Sequence, residues 1–140
     1  MDLFTRPKNT FVAKFIGAPQ INLIDGEVIE EGGQRFVRHS TGLLAIPEGL
    51  RGEVGRKVSF GIRPEHLSIV DSSGFSCLVR LIEPMGSETL VVAESGDQTL
   101  EIMVRDENIV VPKPGERIKV APLAGKPILF DQRDGSNLEF

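Results

Sequence analysis

Val58-Ser59-Phe60-Gly61-Ile62-Arg63-Pro64-Glu65-His66-Leu67-Ser68-Ile69-Val70 is the stretch that decides the fold class. Val58, Phe60 and Ile62 alternate with Ser59, Gly61 and Arg63, which is the two-residue period of a half-buried strand. Pro64 has no amide hydrogen to give and ends the ladder. Glu65 and His66 follow as a polar pair placed to cap the turn, and Leu67, Ile69 and Val70 resume an apolar run. A strand, a turn and a second strand fit within thirteen residues, which is the texture of an all-β chain.

The same punctuation returns further on. Laying Gly55 on Gly115 places Val58 on Ile118, Phe60 on Val120, Ile69 on Leu129, Val70 on Phe130 and Asp71 on Asp131, without a gap. Each copy reads as Gly, alternating strand, turn, short apolar strand, Asp. That is the trace an internal duplication leaves.

At 140 residues the chain fits one domain with a core of its own, and its fifteen Gly and nine Pro favour short strands joined by turns. The single cysteine, Cys77, lies in the apolar run Phe75 to Ile82 and reads as a small buried hydrophobe, in keeping with a reducing compartment. The polar start Met1 to Pro7 does not read as a secretory signal, and no run of ~18 apolar residues offers a membrane span, so a soluble chain or fragment is expected. A net charge of −4 with interspersed signs gives a phosphate backbone no basic field, and Trp and Tyr are absent, so nucleic acid is not an expected partner.

Taken in order, Pro7 and Asn9 open a short helix whose Phe11, Val12, Phe15 and Ile16 fall at helical spacing before Gly17 and Pro19 stop it. A helix of about two turns is unstable alone in water, so its apolar stripe packs on this domain or on a neighbour. Strands are expected over Leu23 to Glu30 and Arg35 to His39 with Glu31-Gly32-Gly33-Gln34 as their hairpin turn, then Leu43 to Ile46, Lys57 to Arg63 and Leu67 to Val70. Ser72-Ser73-Gly74 marks the midpoint. The second part gives Phe75 to Glu83, apolar on both faces and expected to be well buried, then Thr89 to Glu94, Thr99 to Arg105, Arg117 to Ala121 and Ile128 to Asp131.

Catalytic and metal constellations are missing from this pattern. His39 and His66 belong to different segments with no Cys or His cluster at metal spacing, Ser87 stands in no nucleophile elbow, and Gly125-Lys126 is followed by Pro127 where a phosphate loop has Ser or Thr. The pairs Glu30-Glu31 and Asp106-Glu107 flank turns and read as solvated loops.

Particular residues carry a family resemblance. Leu3-Phe4, Arg6-Pro7, Asn9, Phe11-Val12-Ala13, Phe15-Ile16-Gly17, Pro19 and Asn22 are spaced like the segment leaving the nucleotide-binding domain in ATP-binding subunits of carbohydrate-type ABC importers, the family of the maltose transporter ATPase. Gly61 to His66 resembles that family's Gly-x-Arg-Pro-Glu-His signature, Glu83 to Thr89 resembles its Glu-x-x-Gly-x-Glu-Thr turn, and Leu129-Phe130-Asp131 with Asp134-Gly135 is similar to its closing motifs.

The resemblance implies a C-terminal regulatory domain of the TOBE type, an OB-like β-barrel of two related halves. Residues 1–20 would be the junction and helix from a missing ATPase domain, and 21–140 the TOBE-like domain, with halves near 21–71 and 74–131. It implies a homodimer formed through the regulatory domains, on the cytoplasmic face of the plasma membrane beneath the transporter's membrane subunits, and in some relatives an inhibitory partner protein. ATP and magnesium belong to the parent subunit, since this chain lacks the family's phosphate loop, signature motif and switch histidine; no cofactor and no catalysis are expected here. Arg63, Pro64, Glu65 and His66, with Gly86 and Glu88, are the candidate signature residues, acting as an interdomain contact or as a staple within one barrel. Phe11, Phe15 and Ile16 are the candidate junction face, or else a cover for this barrel. The rival reading is a small-ligand or oxyanion-binding regulatory barrel, with amides at Gly32-Gly33 as a candidate anion cradle.

Overall fold

The alternation in the sequence becomes ten strands in the computed structural model, which describes residues 21–40, 42–72, 74–105, 110–123 and 126–138. They are β1 (Asn22–Glu31), β2 (Gln34–His39), β3 (Gly42–Ala45), β4 (Lys57–Ile62), β5 (Leu67–Val70), β6 (Phe75–Pro84), β7 (Thr89–Ser95), β8 (Gln98–Val104), β9 (Arg117–Pro122) and β10 (Ile128–Asp131), with a 3-10 turn at Pro64–His66. Every strand expected from the alternation is present, its ends shifted by at most about two residues. The helix expected around Phe11, Phe15 and Ile16 lies outside the described residues.

Two antiparallel five-stranded sheets result, ordered β10-β4-β1-β2-β3 (the first sheet) and β5-β9-β6-β7-β8 (the second). Exchanging β1 for β6, β2 for β7, β3 for β8, β4 for β9 and β10 for β5 turns one order into the other. The ladder repeats too: Phe60 stands between Ile24 and Leu129, and its counterpart Val120 stands between Phe75 and Ile69. Gly55 donates to the Val28 carbonyl at 2.8 Å and Val28 to Arg56 at 2.9 Å; Gly115 donates to Val79 at 2.8 Å and Val79 to Glu116 at 2.9 Å. Gly55 and Gly115 hold φ of +92° and +91°, a left-handed backbone that glycine adopts without a Cβ penalty. The duplication seen in the residues is thus a duplication of backbone geometry.

The final strand of each half changes sides. β5 closes the first half in chain order yet pairs with β9 in the second sheet, and β10 returns to pair with β4 in the first. Neither half completes a sheet alone. Side chains from both sheets accordingly merge into one core, among them Ile24, Val28 and Phe60 from the first and Cys77, Val91 and Val120 from the second. Burial pushes the Cys77 thiol up to about 11, so it stays a protonated apolar group at neutral pH.

A smaller cluster of Ile21, Ile128 and Phe130, with Leu23 against it, lies on the opposite face of β10 from Leu129. It explains the first residue of the signature. A methyl group on Gly61 would lie 2.8 Å from the fully buried ring of Phe130, so the ring occupies space that only glycine leaves.

The second part of β6 departs from expectation. Apolar residues on both faces suggest a well-buried strand, but a bulge between Val79 and Leu81 breaks its alternation and leaves Leu81 51% exposed. Its partner β9 covers only Phe75 to Leu78, so beyond the bulge that edge has no neighbouring strand among the described residues.

Candidate functional site

Since β4 and β5 belong to different sheets, residues 63–66 must carry the chain across. Arg63 is extended, with φ −70° and ψ 146°, as the residue before a proline prefers, and Pro64 opens the 3-10 turn, where a missing amide hydrogen costs nothing. Backbone bonds close the turn: His66 donates to the Arg63 carbonyl at 2.9 Å, and Leu67 to that of Pro64. The N-cap residue Arg63 makes no side-chain cap hydrogen bond at the turn's N-terminal end. The Glu65 carboxylate instead lies 3.7 Å from Nε of Arg63, whose side chain is only 7% exposed.

A second crossover, residues 123–127, joins β9 to β10. Within it Lys126 donates to the Leu123 carbonyl at 3.3 Å, the same three-residue closure that His66 makes on Arg63. The two crossovers are joined directly, because Leu123 donates to the His66 carbonyl at 2.8 Å.

Gly86 and Glu88 shape the β6–β7 hairpin. Gly86 takes φ +83°, Met85 donates to the Glu88 carbonyl at 2.8 Å, and the Glu88 carboxylate pairs with Nε of Arg105 just past β8. Arg105 also adds to the positive field at His66. It carried no motif in the sequence. Asn22 is equally inconspicuous there, as the last residue of the junction pattern. It is 6% exposed, donates from Nδ2 to the Glu101 carbonyl and accepts at Oδ1 from the Glu101 amide, both at 2.8 Å. An amide-bearing residue at the first position of a strand, beside a buried Ile21, was the available signal.

Both histidines are depressed below their ordinary value by burial. At His66 the Glu65 carboxylate opposes that shift, while Lys126, Arg63 and Arg105 add to it. His39 meets the Phe75 ring edge-on at 5.4 Å. A folded pKa below the unfolded 6.5 means the unfolded chain takes up protons first, so this contribution to stability is complete above the unfolded pKa and is lost as pH falls. The urea midpoint is therefore expected to hold steady from pH 8 to 7 and to drop below 6.5, with a shallower drop in a His39→Gln, His66→Gln double variant. An identical slope in that variant would assign the acid sensitivity to other groups.

A cleft of about 480 Å³ opens beside β4 and β10, lined by Asp25, Ser59, Asp131, Arg133 and Asp134. Ser59 donates to Asp25 at 2.6 Å, while the Arg133 amide donates to Asp131 at 2.8 Å and Arg56 lies 3.8 Å from it. With three carboxylates against one arginine, this lining repels an oxyanion. The Gly32-Gly33 turn is exposed and flanked by the acidic Glu30 and Glu31, which also disfavours an anion there. Among the described residues no group of three or more His, Cys, Asp or Glu could hold a metal ion, and no helix is long and apolar enough to cross a membrane.

Two family models match this chain: the MalK OB fold domain over residues 17–67 and the TOBE domain over residues 60–130. The chain belongs to the TOBE domain family. This TOBE domain is 38% identical over 140 residues to the sn-glycerol-3-phosphate import ATP-binding protein UgpC of Salmonella typhi, covering 99% of the chain and 38% of that protein. It is 35% identical over 146 residues to an uncharacterized ABC transporter ATP-binding protein of Sinorhizobium fredii, covering 99% of the chain and 36% of the relative. The TOBE domain thus spans little more than a third of the length of the curated relatives it matches. Its fold is also that of the cytoplasmic molybdate-binding protein ModG, with a TM-score of 0.61 at 21% identity, covering 81% of this chain and 96% of that one.

Proposed function

We propose that this TOBE domain is the regulatory and dimerisation portion of the ATP-binding subunit of an ABC importer for a sugar or related solute. The observation that carries the reading is the match of nearly the whole chain, at 38% identity, to about a third of an import ATP-binding protein. ATP and magnesium act elsewhere in the parent subunit, because no Gly-x-x-x-x-Gly-Lys followed by Ser or Thr occurs in this sequence and the residues here do not fit a nucleotide.

The mechanism is tethering. Two paired regulatory domains keep two ATPase domains close while these separate between turnovers, so part of the association entropy is already lost when the nucleotide sandwich re-forms. A module whose two sheets share one core and exchange strands suits this role, since it resists internal shear. In this reading the parent subunit works beneath its membrane subunits at the inner face of the plasma membrane. An inhibitory protein seated on the domain biases transport by no more than its difference in affinity for the paired arrangements.

Sedimentation equilibrium tests the proposal. The full-length subunit is expected to be dimeric without nucleotide and to become monomeric when residues 21–140 are removed; an unchanged state would reject the dimerisation role. Calorimetry of the chain with molybdate, sulfate and glycerol phosphate should give no saturable heat. Tight binding of any of them would move the domain to the class of ligand-binding barrels.

A further inference from the structure

We infer that Asn22 ties the start of β1 to the second sheet, so that movement arriving at that strand end reaches the β7–β8 hairpin through this contact. The source of movement, a preceding ATPase domain, rests on the function proposed above; the tie itself rests on geometry.

Asn22 is the first residue of β1 and faces Ile62, the last residue of β4, in the first sheet. Its side chain leaves that sheet and binds the backbone of β8 at Glu101 through one donated and one accepted bond, both 2.8 Å. Among the described residues β8 is the end strand of the second sheet: Glu101 faces Val92 of β7 on one side and no described strand on the other. There the carboxamide acts as a strand of a single residue. Asn and Gln alone offer a donor and an acceptor side by side in this way; a carboxylate would satisfy only the amide, and an alkyl group neither partner.

The 3-10 turn of the signature packs against the same strand, so the start of β1, the first crossover and β8 meet at one seam. Asn22 is 6% exposed and its neighbour Ile21 is 7% exposed, so water has little access to replace the two bonds. Displacing the start of β1 must therefore carry β8 with it or leave two part-buried backbone groups of Glu101 without these partners.

Hydrogen exchange tests this in two settings. In the 140-residue chain, Asn22→Leu should speed exchange at the Glu101 amide roughly tenfold or more while Val58 in β4 changes less than about threefold. Asn22→Asp, which keeps the acceptor, should fall between. That graded order separates the tie from a general loss of packing, and equal rates in all three proteins would overturn it. In the full-length subunit, adding nucleotide should change exchange across Gln98–Val104, and Asn22→Leu should abolish that change while ATP hydrolysis persists. A change that survives the substitution, or none in the unmodified subunit, overturns the coupling. A parent subunit that hydrolyses no ATP would instead reject the functional reading, which the exchange rates of the 140-residue chain do not depend on.

Discussion

Phe60→Ala is expected to destabilise the domain by about 3–5 kcal/mol, enough to lower its melting temperature by roughly 10–15 °C. Phe60 is 0% exposed and stands on β4, between Ile24 on β1 and Leu129 on β10. Removing the ring deletes apolar contact and leaves a cavity that the surrounding strands fill only partly, since β4 and β1 are each held by ladders on both sides. The sharper expectation concerns cooperativity. Because Phe60 belongs to the same core cluster as Val91 and Val120, both sheets should melt together in the variant. Urea unfolding followed by amide signals from β2 and from β7 checks this. Separate midpoints for the two sheets would contradict a shared core, and a loss below about 1 kcal/mol would contradict the burial.

Glu65→Ala is expected to cost about 2–3 kcal/mol. Breaking a fully buried ion pair by removing one partner costs about 3–5 kcal/mol, and the lower figure allows for a Glu65 side chain that is 20% exposed and a separation of 3.7 Å. The Arg63 guanidinium that remains is 7% exposed, too deep for water to replace the carboxylate fully. The damage would fall on the crossover that passes the chain from one sheet to the other and is bonded, through His66 and Leu123, to its counterpart. Thermal unfolding of the isolated chain measures the loss. If instead its melting point stayed within about 1 °C while self-association of the full-length subunit weakened, Glu65 would be a contact between domains and not a staple within one.

Much of the fold was legible because it depends on local chemistry. Alternation over Lys57 to Arg63 marked β4 to within a residue, the Gly32-Gly33 pair marked the β1–β2 hairpin, and Gly55 and Gly115 revealed the duplication through a backbone conformation that favours glycine. Leu81 misled for an equally physical reason. An apolar residue in a strand reads as buried unless a bulge turns it outward, and the extra residue of a bulge carries no composition of its own. The signature residues were visible as a motif, but their roles were not: Gly61 makes room for a ring 69 positions away, at Phe130, and Glu88 pairs with Arg105, which lies 17 positions further along the chain.

By itself the sequence determined that this protein is a duplicated all-β domain with short strands, that its turns lie where Gly and Pro place them, and that it resembles the regulatory part of an importer ATPase. Strand period, turn stereochemistry and motif spacing are properties of neighbouring residues and survive in a one-dimensional string. Only the tertiary structure decided that β5 and β10 trade sheets, that the two crossovers bond to each other, and that Asn22 reaches Glu101. Those outcomes follow from which apolar faces meet in a common core and which buried polar groups then find partners, and that is set by the whole chain at once.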